Sequence, residues 1–190
     1  MSRFYWIRHG PTHARSMVGW SDLPADLSDT ARLARLAAHL PEGALVISSD
    51  LVRARATADA ITGMRARLPD DPDLREIHFG EWELQAFDAV PDQTRLRAFW
   101  ETPGDIRPPG GESWHEISTR VARAAARLRA AYPGRDIVAV AHMGAILTQV
   151  QAALGISPYE AFAHRIDNLS VTELQWAEDA WRVQTINHRP

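Results

Sequence analysis

Three short apolar runs punctuate the chain, and each ends in a polar corner. Residues 4–7 lead into Arg8-His9-Gly10, residues 44–47 into Ser48-Ser49-Asp50, and residues 137–141 into His142-Met143-Gly144. Apolar runs of this length without alternation are expected of strands buried on both faces. Between them, apolar residues recur at helical spacing. Leu33, Leu36, Ala37 and Leu40 make one stripe, and Trp114, Ile117, Val121, Ala125 and Leu128 a second. A third, formed by Ile146, Leu147, Val150 and Leu154, stops at Gly155. Residues 51–61 are expected to be helical too, with Asp50 as the N-cap. Residues 170–177 and 181–187 read as strands separated by three turn residues, an antiparallel hairpin closing one sheet edge. Between 69 and 111 the pattern loosens around prolines and glycines, with a short helical stretch at roughly 82–100. The pattern predicts an α/β fold with three α/β/α layers, a mostly parallel sheet, a closing antiparallel hairpin and a small helical insert. It reads as a single domain over residues 1–190, with the insert at about 82–111.

Composition narrows the function. Of the 190 residues 45% are hydrophobic and 24% charged, with a formal net charge of -3. No global basic field points to nucleic acid, so an anionic ligand needs a local cationic pocket. Cysteine is absent, which excludes disulfides and thiolate chemistry. No stretch approaches the roughly 20 apolar residues of a membrane span. The first apolar run is too short for a secretory signal, so the cytoplasm is the expected compartment. Without such a signal the sequon Asn168-Leu169-Ser170 carries no weight. The chain lacks H-E-x-x-H and any Cys/His cluster, so neither a metal nor a cofactor is expected.

The candidate chemistry gathers at strand ends. In open α/β sheets ligands sit beyond the carboxyl ends of the strands. The first corner delivers His9 beside Arg8, whose guanidinium fork suits phosphate. The second carries Arg53 on the first helical turn, in Ser49-Asp50-Leu51-Val52-Arg53-Ala54. The third delivers His142, followed by a helix whose N-terminal amides suit an anion. Three converging corners make a phosphate site the best reading of the sequence.

Further markers lie at fixed order and spacing: RHGPT at 8–12, S-x-L-x-R-A-x-x-T-A at 49–58, LREIHFGEWE at 74–83, GGES at 110–113 and VAHMG at 140–144. With these the sequence resembles the histidine phosphatase superfamily, the fold of cofactor-dependent phosphoglycerate mutases and small phosphatases. The resemblance covers nearly the whole chain and points to the short phosphatase branch. It implies that His9 is the nucleophile that becomes phosphorylated, and that Arg8, Arg53 and His142 hold the phosphoryl oxygens, His142 as an imidazolium. Glu76 falls on the acid position that protonates the leaving oxygen, with Glu81 and Glu83 as rivals. Thr12, His13 and Arg15 are candidates for substrate contact. Arg15 stands where relatives often carry a phosphate-binding Asn, and Met143 where they carry a second Gly. His115 is a weaker candidate for substrate contact. His39, His78, His164 and His188 have ordinary structural readings. Trp82, Trp100 and Trp114 either roof the pocket or attach the insert to the sheet.

The implied function is phosphomonoester hydrolysis through a phosphohistidine, acting on a small phosphorylated molecule. The alternatives are an α-ribazole phosphatase specifically, a phosphoglycerate mutase-like phosphotransferase, or a non-catalytic phosphate-binding protein. Neither a nucleic-acid nor a membrane partner is expected, and homodimerisation is left open.

Overall fold

The computed structural model describes residues 1–190. Six strands form one sheet: β1 (Ser2–Arg8), β2 (Leu45–Ser48), β3 (Ala66–Arg67), β4 (Ile137–Ala141), β5 (Val171–Ala177) and β6 (Ala180–His188). Their spatial order is β3-β2-β4-β1-β5-β6. The first four are parallel, while β5 runs antiparallel to β1 and β6 antiparallel to β5. Both faces are covered, so each strand divides its apolar residues between two cores. Phe4, Trp6, Ile137 and Ala139 join one, with Ile117, Val121, Ile146 and Val150 of α4 (Trp114–Ala131) and α5 (Met143–Leu154). Tyr5, Ile7, Val138 and Val140 join the other, with Leu33 and Leu36 of α1 (Thr30–His39) and Ala54, Ala58 and Ile61 of α2 (Val52–Thr62). Each large apolar side chain so buried contributes roughly 1.5–3 kcal/mol. No helix is long and apolar enough to cross a membrane.

Several details depart from the sequence-based expectation. Asp50 does not cap α2: its carboxylate accepts from Arg75 at 2.7 and 2.5 Å, and Leu51 occupies the cap position without a side-chain bond. An ion pair with two hydrogen bonds outcompetes a single cap bond. The expected helical stretch at 82–100 is shorter. Gly80–Trp82 and Phe87–Ala89 are single 3₁₀ turns, and α3 (Gln93–Glu101) begins only after Asp92 caps it. The turn between β5 and β6 is two residues, Glu178 and Asp179, both at positive φ as a type I′ turn requires. The two-residue strand β3 and the short α6 (Pro158–Ala161) have no periodic signal long enough to read.

The insert is attached through aromatic edges. Trp82 meets Phe99 at 5.6 Å, and Phe162 meets Trp114 at 4.7 Å and Trp100 at 5.3 Å. Trp82 and Trp114 are buried glue, whereas Trp100 also reaches the cavity described next.

Candidate active site

The carboxyl ends of β1, β2 and β4 meet at one rim, as parallel pairing of these strands requires. His9 follows β1, with its backbone N–H donating to the Ala141 carbonyl (3.1 Å) and its carbonyl accepting from the Asn168 side chain (2.8 Å). The turn beyond it is pinned by Thr57, whose hydroxyl accepts from Gly10 N–H (2.9 Å) and donates to the Arg53 carbonyl (2.7 Å). The His9 ring is therefore held from both sides of its backbone.

The imidazole itself is oriented by its neighbour in sequence. Its Nδ1–H donates to the Gly10 carbonyl at 2.6 Å, which leaves Nε2 as the nitrogen with the lone pair. Arg53 Nε donates to that lone pair at 3.2 Å. Burial, reinforced by the Arg53 and Arg8 guanidiniums, pushes the His9 pKa down from 6.5 to about 3 against the opposing Gly10 bond. A neutral ring with its lone pair on Nε2 is the form a nucleophile needs.

Arg53 is almost wholly buried, and its two terminal nitrogens donate to Ser21 O (2.8 Å) and Gly19 O (2.6 Å). That lock turns its Nε edge toward His9. Arg8 donates from NH1 to Ile166 O at 2.6 Å, while its Nε is buried without a partner. The two guanidiniums keep their charge despite burial, since an arginine titrates far above neutrality. His142 is completely buried, with its ring centroid 5.0 Å from that of His9. Burial, and then the neighbouring His9 ring and the Arg53 and other nearby guanidiniums, hold its pKa well below 6.5. The imidazolium expected there is thus corrected to a neutral ring, because desolvation and surrounding cations both oppose the charge.

Glu76 is buried at the same rim. One carboxylate oxygen accepts from Ile77 N–H (3.0 Å) and the other from Gly144 N–H (3.1 Å) at the start of α5. The group held by that helix terminus is therefore the Glu76 carboxyl itself. A Cβ on residue 144 would lie 2.4 Å from Glu76 Oε1, so this approach needs glycine there.

Arg8, His9, Thr12, Arg53 and Glu76 line one cavity of about 200 Å³. His142 stands behind it, fully buried. Two expected contacts are not brought to it. Arg15 is exposed and outside the lining, and His13 is exposed with its ring bonded to Asp26 at 2.8 Å. His13 also sits at positive φ, an uncommon conformation for a non-glycine residue. Of the rival acids, Glu81 is exposed. Glu83 accepts from the backbone N–H groups of Gly19, Trp20, Ser21 and Phe79 and from the Ser21 hydroxyl. Burial works against its charge, yet those bonds keep its pKa below the usual carboxylate value. It clamps the loop that carries the Gly19 and Ser21 carbonyls, the acceptors for Arg53. His115 pairs with exposed Asp105, and His78 accepts from Gly80 N–H. Sequence reasoning missed Asn168 and the Glu83 clamp; it had Ser49 and Thr57 inside a marker without giving them roles.

The family model of the histidine phosphatase superfamily (branch 1) matches residues 4–189. A bifunctional protein of Mycobacterium tuberculosis is 31% identical over 98% of this chain and 54% of its own length. The chain thus spans about half the length of the first curated relatives it matches. Among solved structures, YhfR of Bacillus stearothermophilus superposes with a TM-score of 0.89 at 25% identity, covering 99% of this chain and 98% of its own. A mycobacterial glucosyl-3-phosphoglycerate phosphatase, solved with VO3, gives 0.83 at 30% identity, with 98% of each chain covered. From the match over nearly its whole length, the chain belongs to branch 1 of the histidine phosphatase superfamily.

Proposed function

We propose that the chain hydrolyses phosphomonoesters of uncharged alcohols through a phosphohistidine on His9. What carries this reading is the His9 ring, neutral and fixed by Gly10 so that its Nε2 lone pair meets the Arg53 edge in a buried pocket. In the first step Nε2 attacks phosphorus and the bond from phosphorus to the ester oxygen breaks. Glu76 enters the step as the carboxylic acid and delivers its proton to the departing alkoxide, which would otherwise leave as a strong base. Arg53 exchanges Nε2 for a phosphoryl oxygen, and Arg8 offers the Nε that lacks a partner. The charge on the phosphoryl oxygens is met by fixed side-chain cations. In the second step Glu76 takes a proton from water, the oxygen attacks phosphorus, and the P–N bond breaks. Inorganic phosphate leaves, with His9 and Glu76 back in their starting forms. In this reading residues 1–190 act as one catalytic domain, with the 82–111 insert walling the pocket.

The cavity also speaks to the leaving group. Its only charged lining residues are Arg8, Arg53 and Glu76, and seven of the thirteen are apolar, Phe79, Phe87, Trp100 and Met143 among them. Two guanidiniums suffice for one phosphoryl group. A second anion on the substrate, such as the carboxylate of a phosphoglycerate, finds no cation of its own there and would lose its hydration. Hydrolysis of a phosphomonoester whose alcohol is uncharged, nucleoside monoesters such as α-ribazole phosphate included, is favoured over mutase-type transfer.

Rapid quench of the enzyme with ³²P-labelled phenyl phosphate is expected to trap an acid-labile, base-stable phosphoenzyme, absent in His9→Ala. The same phosphoenzyme in the variant would remove His9 from the role. Phenyl phosphate is expected to exceed 4-carboxyphenyl phosphate in kcat/KM, although the carboxylated phenol is the better leaving group. The reverse order would overturn the assignment of a neutral leaving group.

A further inference from the structure

His142 leaves one question for its chemistry: a neutral imidazole offers a donor at one nitrogen and a lone pair at the other. Near a phosphoryl group only the donor helps. The answer lies in Ser49, which directly follows β2 and is, like His142, completely inaccessible. Its hydroxyl oxygen lies 2.9 Å from His142 Nε2. The same oxygen accepts the Leu51 backbone N–H at 3.2 Å. His142 Nδ1 is buried and has no partner.

Counting hydrogen-bonding groups separates the two tautomers. If Ser49 donates its O–H to Nε2, the hydroxyl, the Nε2 lone pair and the Leu51 N–H are all paired, and only Nδ1–H is left over. If Nε2–H donates to Ser49, the hydroxyl oxygen receives two donors and its own hydrogen has no acceptor. The Nδ1 lone pair then also goes unpaired. Burying a polar group without a partner is costly, so two such groups lose to one. Burial and nearby cations oppose a proton on both nitrogens at once.

We propose that Ser49 is a positioning residue that holds His142 as the Nδ1–H tautomer and so presents a donor to the transferring phosphoryl group. The proposal rests on the phosphohistidine reading for its catalytic meaning. The Ser49 backbone strengthens the arrangement: its N–H donates to the Val140 carbonyl at 3.0 Å, so the hydroxyl is anchored to β4, the strand that delivers His142. The hydroxyl and the imidazole therefore share one rigid frame. With the tautomer held in advance, no ring flip or proton shift is needed at the moment of reaction.

The test joins spectroscopy to kinetics. In the wild-type protein, ¹⁵N shifts of the His142 ring are expected to show a protonated Nδ1 and an unprotonated Nε2 near neutral pH. A protonated Nε2 would overturn the proposal whatever the kinetics show. Ser49→Ala is expected to lower kcat by about ten- to a thousandfold, the scale of losing or misdirecting one transition-state donor. KM is expected to change little, and the ¹⁵N pattern to shift toward a mixture of tautomers. Ser49→Thr, which keeps the hydroxyl, is expected to restore the wild-type ¹⁵N pattern. A Ser49→Ala protein with wild-type kcat, or with the wild-type Nδ1–H pattern retained, would sink the idea. Should the wild-type enzyme turn over no phosphate ester at all, the functional reading fails while the ring shifts still decide the tautomer.

Discussion

Acidification is expected to unfold this protein in part through His9, and the size of that effect follows from its burial. The ring titrates at 6.5 in an unfolded chain and at about 3 in the fold. Between those values the unfolded chain binds a proton that the folded one refuses, so stability is fully present above about pH 6.5 and drains away as pH falls toward 3. The limiting slope is about 1.4 kcal/mol per pH unit. Integrated from pH 7 to pH 5, His9 alone accounts for about 2 kcal/mol. For a chain of this size that is about 4–8 °C in Tm. His142 acts in the same direction, its proton affinity being lowered first by burial. The assay is urea unfolding at pH 7 and pH 5 for the wild type and for His9→Asn, which lacks the ring in both states. The wild type is expected to lose about 2 kcal/mol more than the variant over that interval. Comparing each protein with itself removes whatever the substitution does at pH 7. Equal losses in the two would mean that His9 titrates in the fold as it does in the open chain, and the neutral-nucleophile argument would fail with it.

Two substitutions probe the frame around the nucleophile. Gly144→Ala places a methyl group against Glu76, 2.4 Å from Oε1, and should lower kcat on alkyl phosphates by about a hundredfold or more, with a smaller loss on p-nitrophenyl phosphate, whose oxygen needs little protonation. Equal losses on the two ester classes would argue that Glu76 does not act on the leaving group. Glu83→Gln should cost about 1.5–3 kcal/mol in urea unfolding at pH 7, the scale of hydrogen bonds to a charged group. That difference should shrink in acid, because a carboxylate with a depressed pKa contributes above its unfolded value and stops contributing as pH falls through the folded one. A pH-independent difference would mean that the clamp does not depend on the charge.

The residues legible in the sequence share one property: their position follows from where a strand stops. His9, Arg53 and His142 each stand at or just past the carboxyl end of a buried apolar run, and parallel pairing of β1, β2 and β4 then forces them to one rim. Nothing beyond the periodicity of those runs is needed to place them. Arg15 had no such constraint. It lies on an irregular loop, where spacing places a residue but not the direction of its side chain, and Arg15 stands exposed there. Asp50 failed as a cap for a related reason: its competitor Arg75 is 25 residues away and enters only once the chain has folded. The same distance hid the supports of the site. Asn168 reaches the His9 carbonyl across 159 residues, and Glu83 gathers the amides of Gly19, Trp20 and Ser21 across more than 60. These are hydrogen bonds between irregular segments far apart in sequence, and no periodic pattern in the chain encodes which group a distant carboxylate or carboxamide will meet. Groups that would touch the phosphoryl group are set by strand ends, which hydrophobic patterning reveals. Groups that hold them still are set by tertiary contacts, which it does not. Ser49 belongs to both kinds: standing just past the end of a strand it was placed in advance, but its task depends on His142, 93 residues further on.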